Sequence, residues 1–184
     1  MLIGHYLPML VFGCLGQVVP ERVMAACGSP MWGMNQSGVR ADGKPYANMF
    51  FYNGGMGANH QGDGIACLSW PSNVSSTSIE VSEHIAPLRF HHKKLREESG
   101  GPGARRGGMG QDILIEVRSP TPIAVSFLAE RTVIPAFGVE GGGAGATGAL
   151  HINGEKVDPK RQYVLRAGET IQLSTPGGGG HGPA

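Results

Sequence analysis

Alternation of apolar and polar residues is the strongest pattern in this chain, and it predicts short β-strands. It is clearest at residues 112–118 and 123–129, which we expect to pair with each other through the connection 119–122. Asn153-Gly154 marks a hairpin-like turn, and Ala167-Gly168-Glu169 joins the last two strands. Further strands are expected at residues 46–53, 65–70, 77–82, 87–95, 149–152, 162–165 and 170–174, whereas residues 28–35 are expected to be extended or turn-rich without regular structure.

The first 27 residues are apolar and predict a helix. We expect a buried helix from about Pro8 to Val19, followed by a short helical turn that starts at Pro20. A secretory leader, and with it a secreted glycine-rich structural protein, is the less favoured interpretation, because no basic residues open the segment. The fold class expected is α+β, mostly antiparallel β with glycine-rich loops and a helical N-terminus. The helix side expected to be apolar carries Leu7, Val11, Cys14, Leu15 and Val18.

Glycine clusters separate the regular segments. The 184 residues include 31 glycines and 13 prolines, and six of the glycines lie in Glu98-Ser-Gly-Gly-Pro-Gly-Ala-Arg-Arg-Gly-Gly-Met-Gly110. Ordering so many glycines costs conformational entropy, so we expect them to serve backbone geometry that side chains would obstruct. The glycines to which we assign this structural role are Gly54, Gly55, Gly57, Gly100, Gly101, Gly107, Gly108, Gly177 and Gly178.

Charge and cysteine content exclude several classes of protein. The formal net charge is +1 and no long basic run exists, so the sequence lacks the electrostatic footprint of a nucleic-acid-binding protein. The three cysteines are odd in number and show no Cys-x-x-Cys pairing, which disfavours a disulfide framework or a zinc ribbon. We therefore expect small buried thiols in a cytoplasmic protein.

Two glycine motifs imitate nucleotide-binding loops. The stretch from Gly38 to Pro45 approaches the phosphate-loop spacing, but its last position is proline and no helix is expected after it. The stretch from Gly143 to Gly148 has dinucleotide spacing, but a strand is expected where that motif needs a helix. We assign neither motif to a nucleotide.

Four residues are the candidates for substrate binding. His60 and Asp63 place an imidazole and a carboxylate in one glycine loop, and Arg105 and Arg106 lie in another. The arginines suit a phosphate or carboxylate ligand, or alternatively an ion pair with Glu97 or Glu98 that locks the loop. Two donors per loop are too few to predict a metal site. His91 and His92 are expected to alternate sides of a strand, so at most one of them would face any given site.

The ordered series of clusters resembles one family. It includes Tyr52-Asn-Gly-Gly-Met-Gly-Ala58, Asp63-Gly64, Glu98-Ser-Gly-Gly-Pro-Gly, Arg106-Gly-Gly-Met-Gly and Thr175-Pro-Gly-Gly-Gly-Gly. In this order the motifs resemble the hydantoinase B/oxoprolinase family, which comprises N-methylhydantoinase B, 5-oxoprolinase and acetone-carboxylase-type subunits. The resemblance covers the C-terminal portion of such a subunit, with a helical segment at 1–27, a glycine-rich mixed segment at 28–110 and a β-rich segment at 111–184.

The resemblance implies ATP-dependent opening of a cyclic amide such as a hydantoin or 5-oxoproline. In such complexes an A-type ATP-binding subunit uses ATP and Mg to phosphorylate the amide oxygen, and the B-type subunit handles the activated intermediate. The expected partners are therefore an A-type subunit in a hetero-oligomer and the cyclic amide, with no nucleic acid and no membrane. The alternatives are a subunit of an acetone-carboxylase-like carboxylase and a non-catalytic assembly domain.

The family's metal-site sequence belongs to its N-terminal half. That sequence, Asn-Asp-Pro-Tyr followed by Gly-Gly-x-His, does not occur in this chain. We therefore carry no metal ligand onto these residues and expect no cofactor bound by this chain. The catalytic residues are not assigned, and the isolated chain is expected to be inactive.

Overall fold

Two antiparallel β-sheets form the framework. The computed structural model describes residues 2–68 and 70–184. The first sheet has the strand order β2-β1-β5-β8 and the second has the order β3-β4-β9-β6-β7. The elements are α1 (Leu2–Leu15), β1 (Trp32–Val39), β2 (Pro45–Tyr52), α2 (Ile79–Ile85), β3 (Leu88–Leu95), β4 (Gln111–Val117), β5 (Ile123–Leu128), β6 (Ala149–Ile152), β7 (Glu155–Lys156), β8 (Gln162–Leu165) and β9 (Thr170–Ser174). The α+β class expected from the sequence is confirmed.

The main hydrophobic core lies between the two sheets. Alternate residues of β4 are fully buried, among them Ile113 and Ile115, and they share one cluster with Val125 of β5 and Trp32 of β1. Burial of each such side chain contributes about 1.5–3 kcal/mol to stability. The period-2 pattern of the sequence therefore places the core correctly.

The two clearest predicted strands both exist, but they do not pair. β4 pairs with β3 and β9 in one sheet, whereas β5 pairs with β1 and β8 in the other. Residues 118–122 thus cross from one sheet to the other. The buried faces of β4 and β5 meet through their side chains across the core, an arrangement that gives the same sequence alternation as direct pairing.

Three local predictions were wrong. The expected strand at 77–82 is the start of α2, where the Ser78 hydroxyl accepts a hydrogen bond from the Val81 N–H at 3.3 Å and caps the helix. Residues 65–68 and 70 form turns instead of a strand, with Cys67 at a positive φ of 54°. Residues 28–35 were expected to lack regular structure, but β1 begins at Trp32 because its backbone pairs with both β2 and β5.

Helix α1 differs from its prediction in extent and in orientation. It runs from Leu2 to Leu15 with Pro8 inside it, not from Pro8 to Val19, although the expected turn at Pro20–Arg22 is present. Met9 is buried, and Tyr6 and Phe12 pack beside it. The side expected to be buried is the exposed one: Leu7, Val11, Leu15 and Val18 are 59%, 54%, 43% and 78% exposed, and Cys14 is exposed as well. In the part of the chain that the structure describes, no helix is long and apolar enough to cross a membrane.

The glycine clusters assemble into a second packed unit, which we call the glycine body. Its central segment, residues 176–181, is buried throughout and belongs to neither a helix nor a strand. Gly178 donates to the Gly108 carbonyl at 3.0 Å and accepts from the Gly101 N–H at 2.8 Å, while Gly179 donates to the Ala26 carbonyl at 2.8 Å and accepts from the Ala58 N–H at 2.9 Å. The central segment is therefore hydrogen-bonded to several surrounding segments at once.

Side chains would not fit inside the glycine body. A Cβ atom built on any of the nine glycines named from the sequence would come closer than 3.0 Å to a backbone atom, which belongs to another segment in every case except Gly100, where it belongs to Gly107 of the same loop. Gly55 would meet the Gly108 carbonyl, and Gly177 would meet the Ser99 carbonyl. Real Cβ atoms essentially never come this close, so these positions require glycine because of close backbone approach.

Gly177→Ala should therefore destabilise the protein strongly. We expect a loss of at least about 2 kcal/mol in the free energy of unfolding, because backbone has to move to admit the methyl group. Gly62→Ala is the matched control, since a Cβ there meets no atom within 4 Å, and it should change stability by less than about 1 kcal/mol. Urea denaturation of both variants measures the difference; equal stabilities would contradict the packing described.

Candidate functional site

Two of the four predicted substrate-binding residues line the same cleft. Asp63 and Arg106 face a cleft of about 190 Å³ between the loop at 63–66 and the loop at 98–109. Glu98, Ala66 and Met109 also line it, and glycine backbone completes its walls. His60 lines a neighbouring groove of about 420 Å³, and Arg105 lies outside both openings.

Backbone hydrogen bonds fix the relative position of Asp63 and Arg106. The Arg106 N–H donates to Asp63 Oδ1 at 2.9 Å, and the Gly64 N–H donates to the Arg106 carbonyl at 2.7 Å. Both loops are further joined to the glycine body, since Gly108 N–H donates to the Met56 carbonyl at 2.8 Å. The cleft therefore rests on backbone that is hydrogen-bonded into the glycine body.

The guanidinium groups of Arg105 and Arg106 form no ion pair with the carboxylates of the described residues. The alternative in which Glu97 or Glu98 locks the loop through an ion pair is thus not realised. Glu98 instead adopts a positive φ of 57° and lines the cleft beside Arg106. One cationic and two acidic side chains consequently share a small opening, which suits a ligand that carries both an N–H donor and an electron-rich oxygen.

Glu98 was not among the residues predicted to bind substrate. Glu98 is the first residue of the Glu98-Ser-Gly-Gly-Pro-Gly motif, but sequence reasoning assigned ligand binding to the arginines of the same stretch. Its position in the cleft depends on contact between loops that are distant in sequence. The sequence feature that could have indicated a binding role is the position of this carboxylate at the start of a glycine-rich stretch.

His181 connects the other two predicted residues. Its ring lies 6.1 Å from the His60 ring, and its backbone exchanges two hydrogen bonds of 2.9 Å with Arg105. The His181 side chain is nearly fully buried: Nε2 donates to the Pro20 carbonyl at 3.0 Å, and Nδ1 lies 3.6 Å from the Glu140 carboxylate. Because it follows the last glycine cluster and has no neighbouring polar motif, sequence reasoning did not select it.

His91 and His92 lie on the same face of the second sheet, so the prediction that they alternate was wrong. The register of β3 shifts between Phe90 and His92, and this bulge turns both rings outward. His91 pairs with Glu116 at 2.9 Å and His92 with Asp112 at 3.1 Å.

Asp112 is the centre of a satisfied polar network. Its Oδ1 accepts hydrogen bonds from Gln172 and Ser174, each at 3.1 Å, and Oδ2 pairs with His92. Burial alone would raise the pKa of Asp112, but the hydrogen bonds from Gln172, Ser174 and His92 outweigh burial and lower it. The network thus favours the ionised carboxylate and leaves no vacant donor that marks a ligand site.

Neither of the two glycine motifs leads into a helix, and the described residues contain no cluster of metal-ligating side chains. Residues 2–68 and 70–184 contain no group of three or more His, Cys, Asp or Glu side chains that could hold a metal. Residues 40–44 form the turn of the β1–β2 hairpin, so no helix N-terminus is available there for phosphate. Residues 143–148 lead into β6, as the sequence predicted.

The three cysteines are free thiols. Cys27 is buried, and burial raises its pKa to about 11. Cys67 is half-buried, and burial raises its pKa as well. The expectation of small buried thiols holds for Cys27 but is wrong for the exposed Cys14.

Comparison with known proteins places these features in a family. The sequence model of the family described as Hydantoinase B/oxoprolinase matches residues 1–184. Two similar curated proteins are 5-oxoprolinase 1 of Arabidopsis thaliana, 36% identical over 70% of this chain, and caprolactamase subunit beta of Pseudomonas jessenii, 31% identical over 91% of it. The fold is similar to that of acetone carboxylase in its nucleotide-free structure, with a TM-score of 0.73 over 91% of this chain at 18% identity.

This chain is much shorter than these relatives. It spans 10% of the plant oxoprolinase, 31% of the caprolactamase subunit and 28% of the matched acetone carboxylase chain.

Asp112→Asn should lower stability at neutral pH and have less effect in acid. The lowered pKa means that the ionised carboxylate stabilises the fold above about pH 4, and that this contribution is lost as the pH falls further through the folded-state pKa. We expect a loss of about 1 kcal/mol at pH 7 that shrinks below about pH 4. Asp42→Asn, on an exposed turn, is the control. Urea denaturation between pH 3 and pH 7 tests this, and a pH-independent difference would contradict it.

Proposed function

Since this chain belongs to the hydantoinase B/oxoprolinase family, we propose that it forms part of the B-type subunit of an ATP-dependent cyclic amide hydrolase. The part it supplies corresponds to the C-terminal portion of such a subunit. Its substrate class is a cyclic amide such as a hydantoin or 5-oxoproline, and its partner is an A-type ATP-binding subunit. The proposed substrate-binding site is the cleft lined by Arg106, Asp63 and Glu98, and this cleft is the main structural support for the proposal.

Amide hydrolysis is favoured over carboxylation for this chain. An oxoprolinase and a caprolactamase subunit are among the curated relatives above 30% identity. Acetone carboxylase is related at 18% identity, which supports a shared fold without a shared reaction. A carboxylase of the acetone type remains the second candidate, and turnover with a ketone and bicarbonate would identify it.

The cleft offers complementary groups for an amide and for its activated form. The unpaired guanidinium of Arg106 can bind the substrate oxygen, and its planar donors also match a phosphoryl group on that oxygen. Glu98 can accept the ring N–H. Asp63 is held by the Arg106 N–H at 2.9 Å and acts mainly to position this loop. The negative charge that develops on the oxygen during attack would strengthen the contact with Arg106.

The remaining chemistry is assigned to other parts of the complex. Phosphorylation by ATP and Mg is assigned to the A-type subunit, as membership of the family implies. The contribution of this chain is to bind the activated amide, orient it and shield it from bulk water before directed hydrolysis.

Arg106→Ala should reduce turnover of a complex reconstituted from an A-type subunit and a full-length B-type subunit that contains this chain. Removing a charge-assisted contact to the reacting oxygen should lower kcat by at least about tenfold. Arg161→Ala is the control, because its side chain is 77% exposed and its ion pair is with Asp158. Steady-state release of phosphate in the presence of a cyclic amide measures the effect. Unchanged kinetics for Arg106→Ala would remove the cleft from the proposal.

The isolated chain should show no ATP hydrolysis that depends on a cyclic amide. The reason is that the A-type subunit is proposed to supply ATP and Mg, and that the described residues contain no group of three or more His, Cys, Asp or Glu side chains that could hold a metal. A coupled phosphate assay with hydantoin, 5-oxoproline and caprolactam tests this directly. Amide-dependent hydrolysis by the chain alone would show that the division of labour proposed here is wrong.

A further inference from the structure

Helix α1 and the segment 129–137 form an exposed apolar surface, which we call the α1 surface. Its exposed side chains include Ile3, Leu7 and Leu10 on the helix, at 83%, 59% and 59%, and Val133 and Ile134 on the segment, at 84% and 74%. Helix α1 contains no Asp, Glu, Lys or Arg. A groove of about 760 Å³ runs between the two elements. Apolar exposure that continues over two adjacent elements marks an interaction surface rather than scattered surface residues.

Arg131 lies in this groove without a carboxylate partner. Its guanidinium stacks 5.2 Å from the centre of the Tyr6 ring and donates to the Pro135 carbonyl at 2.8 Å. Its Nε is buried without a hydrogen-bond acceptor, and it forms no ion pair with a carboxylate of the described residues. An arginine fixed on an aromatic ring within an apolar groove is a typical anchor of protein interfaces.

We propose that another part of a family subunit covers the α1 surface, through an apolar segment that carries a carboxylate for Arg131. The match covers 31% of the caprolactamase beta subunit, so the rest of that polypeptide is covalently joined to the matched unit and is present at a high effective concentration beside it. The outer face of the second sheet is a poorer place for it, because ion pairs such as His92 with Asp112 already occupy that face. The inference rests on the proposed place in a B-type subunit, but its test involves no catalysis.

A second copy of this chain fits the α1 surface less well. In a twofold dimer the same surface meets itself, so each copy would contribute the same charges. Arg131 and Lys160 line the groove against a single acidic residue, Glu130, which leaves an excess of positive charge on both sides. A segment with its own carboxylate complements this surface, whereas a copy adds like charge.

The test uses a chimera of the Pseudomonas jessenii caprolactamase beta subunit, in which this chain replaces the matched stretch. Amide hydrogen exchange of residues 129–137 is compared between the chimera and this chain alone. If the rest of the subunit covers the α1 surface, amide exchange of residues 129–137 should be at least about tenfold slower in the chimera, because exposed backbone becomes protected. Unchanged exchange in the chimera overturns the proposal. If the chimera does not fold, the remainder of the caprolactamase subunit is titrated with this chain by calorimetry. Absence of binding in that titration also overturns the proposal.

Paired variants separate docking from folding. Val133→Asp with Ile134→Asp should lower the Tm of the chimera but not that of this chain alone, where both side chains are exposed. Val164→Asp is the control, since Val164 is 67% exposed on β8, and it should have an equal, small effect in both proteins. Equal effects of the double variant in both proteins overturn the proposal. Analytical ultracentrifugation of this chain alone tests whether a second copy occupies the surface. A dimer that the double variant dissociates would assign the surface to a second copy and overturn the proposal.

Discussion

Backbone packing around Gly177–Gly180, within the segment 176–181, leaves no room for a methyl group, and the other loops are arranged around this constraint. The segment is hydrogen-bonded to the loops at 25–28, 55–58, 99–108 and 136–146 at once. In most proteins such loops would lie on the surface and move, since buried backbone needs partners. Here glycine brings the peptide groups close enough to satisfy one another. The result is a unit held mainly by peptide hydrogen bonds beside a sandwich held mainly by apolar side chains.

The candidate cleft depends on this arrangement. Its charged groups are carried by loops, yet those loops are fixed at both ends by bonds such as that from the Arg106 N–H to Asp63 at 2.9 Å. A site of this kind gains rigidity without regular secondary structure, which favours binding because little side-chain or loop ordering remains to be paid on association. It also limits substitution, since the glycine walls and the charged residues occupy the same few positions along the chain.

Sequence reasoning succeeded where the pattern is local and failed where distant contacts decide. Alternation located β4, β5 and the three short strands at 149–152, 162–165 and 170–174. It did not show that β4 and β5 belong to different sheets, because paired strands and strands facing each other across a core have the same period. The Ser78 cap outweighed a strand-like pattern in α2, and one extra residue in β3 turned His91 and His92 to the same face. The glycine clusters were recognised, but their mutual contact and the place of Glu98 involve loops far apart in sequence.

The position of residues 176–181 at the centre of the glycine body has a consequence for how the chain acquires its structure during synthesis. All the segments that these residues join precede them in the chain, and so leave the ribosome earlier. Until residues 176–181 emerge, the loops at 25–28, 55–58 and 99–108 lack the peptide groups that satisfy their own, and their glycines make them entropically costly to order. β9, at Thr170–Ser174, likewise joins β4 to β6 late. The fold therefore closes only after residues 170–181 have emerged, and until then the earlier segments of both units lack these partners.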